Sequence, residues 1–296
     1  MHRSSRSART ARADRPARRR LPAVAALAAA TALVAGVAAP AYAAEPAPVA
    51  PAAKARPGFH PDQDFAGSTV AAHEGRGGGA APFASLAATQ TPGLDVSSYQ
   101  GNVNWSSVAA NGAKFAYVKA TEGTGYTNAA FAQQYNGSYN SGLIRGAYHF
   151  ALPDVSSGAT QAAYFVSHGG GWSADGKTLP PALDIEYNPY GATCYGLSQS
   201  AMVSWIRSFS DTVHTRTGRY PTIYTTTNWW TQCTGNYSGF GATNPLWIAR
   251  YASTVGTLPA GWGYQTFWQF ADSGTFPGDQ NYFNGAADRL RALALG

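Results

Sequence analysis

From Gly93 onward, short apolar segments alternate with amphipathic ones, and this alternation restricts the fold more than any other feature of the sequence. Runs of β-branched and aromatic residues predict seven strands: Gly93–Tyr99, Lys114–Thr121, Ile144–Ala151, Pro181–Glu186, Thr222–Thr226, Leu246–Tyr251 and Thr266–Phe270. Helical spacing predicts four helices: Trp105–Ala110, Asn128–Ser141, Gly158–Gly170 and Ser198–Thr217, the last with Ser198 as its N-cap. Strands that alternate with helices run parallel and are joined by crossover helices, so an α/β fold is expected.

The second half of this pattern is poorer in helices than the first. The pattern covers about 200 residues, whereas a complete (β/α)8 barrel has about 250. After Thr226 the strands continue while the helical periodicity weakens. We therefore predict a modified TIM-like barrel that closes with short, irregular connections.

The first 43 residues have the composition of an export signal. Eight arginines lie within residues 1–20, an uncharged run rich in Ala, Leu and Val extends from Leu21 to Val37, and Ala41-Tyr42-Ala43 follows. A basic n-region, an apolar h-region and an A-x-A cleavage pattern define a secretory signal peptide. We expect residues 1–43 to be removed and the mature protein to be secreted, extracellular and not membrane-bound. Arg18-Arg19-Arg20 leaves the twin-arginine route open beside the Sec route.

Loss of the signal peptide changes the net charge. The chain has 21 basic and 15 acidic residues, and without the eight arginines and one aspartate of residues 1–20 it has 13 and 14, or about −1. Such a protein has no basic patch for nucleic acid. The sequence has no phosphate-binding glycine loop and no Cys/His pair with zinc spacing, and His149 and His168 are isolated. No metal, no other cofactor and no nucleic-acid partner are predicted.

Residues 44–90 are rich in Ala, Pro and Gly and show no sustained hydrophobic period. Because such a composition buries little apolar surface, we interpret this stretch as a flexible linker or a pro-segment. Residues 91–296 are then the barrel domain, expected to be a monomer. Cys194 and Cys233 are the two cysteines, and in an exported protein they predict one disulfide. A thiol nucleophile is the alternative, although neither cysteine lies beside an evident activating base.

Four acidic residues lie at predicted strand ends. Asp184 and Glu186 end the fourth predicted strand, Asp95 lies in the first, and Asp279 follows the last. Alternate residues of a strand point to the same side, so Asp184 and Glu186 are expected about 7 Å apart. Two carboxyls this close do not both ionise freely, and the raised pKa of one suits a general acid. For this pair alone, solvated acids or a metal site are alternative interpretations.

In a barrel of parallel strands, the carboxyl ends converge on the face where chemistry takes place. The four acids would line one cleft there, which predicts a carboxylate-based active site. With 13% aromatic and only 12% charged residues, the composition is typical of an extracellular carbohydrate-active protein. The predicted substrate-binding residues are Tyr148, Tyr187, Tyr224, Trp268 and Gln269.

Seven motifs in a fixed order carry a resemblance to a known family. They extend over residues 92–286: Gly93-Leu-Asp-Val-Ser, Lys119-Ala-Thr-Glu-Gly, Gly146-Ala-Tyr-His-Phe, Leu183-Asp-Ile-Glu, Leu246-Trp-Ile-Ala-Arg-Tyr, Trp268-Gln-Phe and Asp279-Gln-Asn. Together they resemble the glycoside hydrolase family 25 lysozymes, the Chalaropsis-type N-acetylmuramidases. The resemblance implies a (β/α)5(β)3 barrel that hydrolyses the β-1,4 bond between N-acetylmuramic acid and N-acetylglucosamine in bacterial peptidoglycan.

The resemblance also implies roles for individual acids. Glu186 matches the proton donor of the family and Asp184 the acid that assists it, through the 2-acetamido group of the substrate or the ionic intermediate. Asp95 and Asp279 match the remaining acids of the cleft, either as catalytic groups or as residues that position substrate and protons. Retention and inversion both stay open, and the family analogy favours retention.

Two other functions compete with this interpretation. A chitinase-type hydrolase has a similar strand-end pair of acids, but its fuller D-x-D-x-E pattern is missing, since position 182 is Ala. A barrel without activity would serve as a cell-wall-binding module. Such a module has no need of four carboxyls in one cleft.

Overall fold

Eight strands close into a barrel in this computed structural model, which describes residues 58–77 and 90–296. The predicted signal peptide lies outside the described residues. The strands are β1 (Thr91–Val96), β2 (Phe115–Glu122), β3 (Tyr126–Thr127), β4 (Ile144–Phe150), β5 (Ala182–Asp184), β6 (Thr222–Thr225), β7 (Leu246–Ala249), β8 (Phe267–Ala271) and β9 (Asp279–Phe283). The order around the barrel is β1-β9-β8-β7-β6-β5-β4-β2, and the pairing of β1 with β2 closes it. The short β3 pairs only with the end of β2.

Helices follow the first five barrel strands and are absent between the last three. The described helices are α1 (Val70–Glu74), α2 (Trp105–Ala110), α3 (Phe131–Asn140), α4 (Gly158–Ser167), α5 (Gln199–Thr217), α6 (Thr227–Thr234) and α7 (Ala287–Leu295). Strands β1, β2 and β4 to β8 are parallel, whereas β9 is antiparallel to both of its neighbours. This is a (β/α)5(β)3 arrangement, as the family resemblance implied.

The sequence located most elements but not all. All seven predicted strands and four predicted helices are present, and the Ser198 hydroxyl accepts a hydrogen bond from the Ala201 N–H as the predicted N-cap of α5. The prediction that Asp279 follows the last strand is wrong, because Asp279 is the first residue of β9. Three polar residues at the start of β9 hide its strand character. Helices α1, α6 and α7 were also missed, α1 because it lies within the stretch interpreted as a flexible linker or a pro-segment.

The barrel wall separates two apolar layers. Leu183 and Ile185 pack outward against helices α4 to α6, whereas Ala182 packs into the barrel interior. The interior is filled by rings: Tyr117 of β2 stacks on Trp247 of β7, across the barrel, with 4.7 Å between ring centroids. As in other TIM-like barrels, this interior is a packed core, which leaves the mouth at the carboxyl ends of the strands for a site.

Within the described residues, no helix combines the length and apolarity that crossing a membrane requires.

A candidate active site of four buried carboxyls

Four carboxyl side chains meet at the mouth of the barrel. Asp95 lies on β1, Asp184 ends β5, Glu186 follows it by two residues, and Asp279 begins β9. Each is at most 2% exposed. The reversed direction of β9 brings its first residue to the mouth, and its register sets Asp279 directly opposite Asp95. The predicted convergence of the acids is therefore present, although Asp279 reaches the mouth on an antiparallel strand.

The hydrogen-bonded part of β5 stops at Asp184, but the chain continues past it in the same direction. The Ile185 N–H donates to the carbonyl of Tyr224 on β6 at 3.0 Å. Since Ile185 packs into the helix layer, Asp184 and Glu186 lie on its other side, toward the mouth. The loop residue Glu186 is thus positioned by the neighbouring strand as firmly as a strand residue would be.

Burial among like charges favours the protonated forms of these acids. Burial raises the pKa of Glu186 to about 8 and that of Asp95 to about 7. The pKa of Asp184 lies well above its ordinary value because of burial and then the charge of Glu186. That of Asp279 is raised well above its ordinary value by burial and then by Asp95. A site of this kind can hold a proton near neutral pH, which a general acid must do.

Gln269 of β8 connects two of the acids. Its buried carboxamide donates to Oδ2 of Asp95 and to Oδ2 of Asp279, both at 3.0 Å, and accepts from the Tyr224 hydroxyl at 2.7 Å. Asn281 donates a further bond to Oδ2 of Asp95 at 2.6 Å. Gln269 was predicted to bind substrate, but its contacts here position Asp95 and Asp279.

Of the predicted aromatic contacts, Tyr148 and Tyr224 lie with the acids. Both are fully buried, and after burial itself the charges of nearby acids raise the pKa of each hydroxyl well above its ordinary value. Tyr251, which the sequence analysis did not propose as a site residue, donates its hydroxyl to Gln269 at 3.1 Å. Its position at the end of the predicted strand Leu246–Tyr251 is the sequence feature that could have identified it as a site residue.

Trp268 lies apart from the acids. It packs against Phe270 and Tyr282, and its indole N–H donates to the Arg250 carbonyl at 2.9 Å. Successive residues of a strand face opposite sides, so the inward side chain of Gln269 directs Trp268 outward. The structure therefore places Trp268 in the outer apolar cluster, which also contains Tyr187, and not with Tyr148 and Tyr224.

Lys119 and Glu122 form a buried ion pair at the end of β2. The ammonium nitrogen and Oε2 are 2.6 Å apart, and both side chains are fully buried. Tyr190, which was not predicted, donates its hydroxyl to Glu122 at 2.9 Å. The pair lies beside the four acids without being part of their hydrogen-bond network with Gln269.

His149 faces the helix layer. Nε2 lies 2.9 Å from the Gln161 amide oxygen and Nδ1 lies 2.7 Å from the Thr121 hydroxyl. Burial lowers the pKa of His149 to about 3, so the ring is neutral and serves the packing of the wall. In the described part of the chain, no three His, Cys, Asp or Glu side chains are grouped so that they could hold a metal ion.

The predicted disulfide is present. Cys194 and Cys233 are bonded, with their Cα atoms 5.3 Å apart. The bond joins the loop after β5 to helix α6. It therefore stiffens the segment that follows Asp184 and Glu186.

A TIM-like barrel with a cluster of buried carboxyls at its mouth is an arrangement that suits a glycoside hydrolase. The family model described as Glycosyl hydrolases family 25 matches residues 94–279, and the chain belongs to that family.

Relatives and solved structures agree with this membership. The chain is 52% identical over 208 residues to an N,O-diacetylmuramidase of Chalaropsis sp, covering 69% of this chain and 99% of the relative. It is 52% identical over 207 residues to Lysozyme M1 of Streptomyces globisporus, covering 68% of this chain and 70% of that relative. A muramidase structure from Acremonium alcalophilum matches with a TM-score of 0.69 and 63% identity, over 70% of this chain and 99% of that one. A family GH25 lysozyme structure from Aspergillus fumigatus matches with a TM-score of 0.69 and 51% identity, over 70% of this chain and 100% of that one. The family and the fold class predicted from the sequence are confirmed.

Proposed function

We propose that this protein is a secreted lysozyme that hydrolyses the β-1,4 bond between N-acetylmuramic acid and N-acetylglucosamine in bacterial peptidoglycan. The observation that carries the proposal is Glu186, a buried carboxyl at the barrel mouth whose pKa burial raises to about 8. Two relatives that are 52% identical are named N,O-diacetylmuramidase and Lysozyme M1, which supports this substrate class.

In the proposed mechanism, Glu186 protonates the glycosidic oxygen while the bond to the anomeric carbon breaks. Positive charge then develops on the sugar, and those surrounding carboxyls that are ionised stabilise it electrostatically. Among residues 58–77 and 90–296, neither carboxyl oxygen of Asp184 has a hydrogen-bond partner. Asp184 is therefore able to bind the 2-acetamido group of the substrate, whose oxygen attacks the anomeric carbon as in substrate-assisted glycosidases. Water then attacks the anomeric carbon of the cyclic intermediate, displaces the acetamido oxygen and gives a proton to Glu186, so that two inversions give net retention of configuration.

Asp95 and Asp279 are proposed to influence the electrostatic potential and the geometry of the site, and not to act as proton donors. Both carboxyls are held by Gln269, and Asp95 is held by Asn281 as well. An acid with these bonds changes its geometry little during turnover. When one of the two is ionised, it adds a negative potential at a fixed place beside the sugar.

The test is mass spectrometry of fragments released from purified peptidoglycan by residues 90–296. This length is adequate because 70% of the chain covers 99% of the Acremonium muramidase. Fragments ending in reducing N-acetylmuramic acid are expected, and they should be lost in Glu186→Gln but not in Asp211→Asn, an exposed acid on α5. Fragments ending in reducing N-acetylglucosamine, or release from chitin alone, would contradict the bond specificity. Sedimentation with cell walls without any release would favour a binding module.

A further inference from the structure

Residues 58–77, which precede the barrel in the chain, lie across its mouth. These residues and the barrel belong to one structural unit. The Gly67 N–H donates to Oε1 of Glu186 at 2.6 Å, and the Thr69 hydroxyl donates to Oε2 at 2.8 Å. Both oxygens of the proposed proton donor are therefore bonded to a segment 119 and 117 residues earlier in the chain.

The residues that hold the other acids also bind this segment. The Gln269 amide nitrogen lies 2.7 Å from the Ala66 carbonyl oxygen, and the Tyr251 hydroxyl lies 3.1 Å from the Gly67 carbonyl oxygen, so that both groups share their hydrogens between the barrel and the segment. The Ala66 N–H donates to the Tyr148 hydroxyl at 3.3 Å. One peptide unit, Ala66–Gly67, thus occupies the centre of the carboxyl cluster, where the scissile bond of a substrate would have to lie.

A second anchor is the ammonium group of Lys119. Besides Glu122, it donates to the carbonyls of Pro61 at 2.9 Å and Asp64 at 2.6 Å. A buried ammonium needs all of its protons bonded, and two of the three partners come from the segment. The segment is therefore held at two points of the cleft.

Gly67 is suited to this place by its lack of a side chain. Its φ of 95° lies in the left-handed region, and a Cβ would collide with the hydroxyl of Tyr251 and stand 2.6 Å from the Gln269 amide oxygen. Ala66 and Val70 are fully buried in the same apolar cluster as the rings of the barrel interior. The segment fits the mouth by shape as well as by hydrogen bonds.

We propose that residues 58–77 are an autoinhibitory pro-segment that occupies the active-site cleft and excludes peptidoglycan until it is displaced or removed. This inference rests on the proposed function, since it requires Glu186 to be the group that a glycan must reach. About 70% of this chain covers 99% of the Acremonium muramidase structure and 100% of the Aspergillus lysozyme structure. The barrel without residues 58–77 is long enough to supply this 70%. The segment is thus an addition that acts on the barrel, and its covalent linkage gives it a high effective concentration at the cleft.

The test compares hydrolysis of purified peptidoglycan by residues 44–296 and by residues 90–296. We expect the longer protein to be at least tenfold slower. Gly67→Leu in the longer protein should restore the rate of the barrel, whereas Ala72→Leu, which adds the same side chain at an exposed position of α1, should leave it inhibited. Equal rates for the two lengths would overturn the inference.

A synthetic peptide of residues 58–77 separates this inference from the proposed function. It should inhibit residues 90–296 competitively and bind them in a calorimetric titration, and the same peptide carrying Gly67→Leu should do neither. If residues 90–296 cleave no glycan, the proposed function fails, and peptide binding then decides whether the segment docks. A peptide that neither binds nor inhibits an active barrel would overturn the inference.

Discussion

Asp95 and Asp279 lie directly opposite each other on the antiparallel strands β1 and β9, and the carboxamide of Gln269 donates one hydrogen bond to each. With residues 58–77 in place, the two hydrogens of this amide are shared among three acceptors, the Ala66 carbonyl and two carboxyls that burial and mutual repulsion make hard to ionise together. The distribution of protons in the site thus depends on a neutral side chain from a third strand.

Replacement of Gln269 by Met removes both donors while it nearly conserves the volume. We expect residues 90–296 carrying this change to lose about 1–3 kcal/mol of stability, the cost of unsatisfied buried groups, and to show a displaced pH profile. Denaturant unfolding and kcat against pH measure the two effects. Gln232→Met on the exposed face of α6 is the control. An unchanged pH profile in Gln269→Met would contradict the positioning role.

Glu186→Gln should lower kcat on peptidoglycan by about 10²–10⁴, the usual contribution of general acid catalysis. The amide keeps the shape of the side chain and loses the proton that the leaving oxygen needs. Initial rates for residues 90–296 are the measurement, with circular dichroism to verify folding. Turnover within a few-fold of the parent protein would remove Glu186 from the proton-donor role.

The activity of residues 90–296 should fall on the alkaline side below pH 8. With residues 58–77 docked, the pKa of Glu186 is about 8, and burial is its largest cause. Removal of the segment admits water and lowers that pKa, and a general acid is lost as the pH rises through its pKa. A pH profile of kcat for residues 90–296 measures this alkaline decrease in activity. A decrease that occurs only above pH 8 would contradict the assignment of Glu186 as the general acid.

The same linkage predicts that docking of the segment weakens as the pH rises. Burial raises the pKa of Glu186 although the hydrogen bonds from Gly67 and Thr69 lower it, and burial is also the main cause that raises the pKa of Asp64 on the segment to about 6. The docked state therefore binds more protons than the undocked state. The contribution of these protons to the stability of docking is lost as the pH rises toward 8. The affinity of the peptide for residues 90–296, titrated at pH 5 and pH 8.5, should be higher at pH 5. The opposite order would contradict this linkage.

Lys119→Met should destabilise residues 44–296 by about 3–5 kcal/mol, because it leaves Glu122 buried without its partner. Adding Glu122→Gln should recover part of the loss. The matched control is Arg76→Met, which breaks the exposed pair with Asp272 and should cost less than about 1 kcal/mol. Equal losses from Lys119→Met and Arg76→Met in denaturant unfolding would contradict the importance of burial.

Removal of the disulfide by Cys194→Ser with Cys233→Ser should cost about 3–4 kcal/mol, from the entropy of a loop of this length. The bonded cysteines are 39 residues apart in sequence. Unfolding by guanidinium with and without reductant is the measurement. A reductant effect that persists in the double variant would show that it does not arise from this bond.

The fold and the positions of the acids could be predicted because their signals are local. Alternation of apolar residues located seven barrel strands, and Asp95, Asp184 and Glu186 were at or near strand ends in the sequence itself. Strand β9 escaped prediction because Asp279 and its polar neighbours break the apolar pattern. Trp268 was expected in the cleft because sequence spacing alone does not tell which side of β8 faces inward.

The sequence by itself determined the succession of strands and helices, the family and the set of acids, since hydrophobic period and motif order are written along the chain. The tertiary structure decided which acids share a partner, which of them hold protons, and that residues 58–77 lie at the barrel mouth. These properties arise from contacts between distant residues, as between Gly67 and Glu186 at a separation of 119 positions. A segment with too little apolar surface for a core of its own becomes ordered against a surface that the barrel creates.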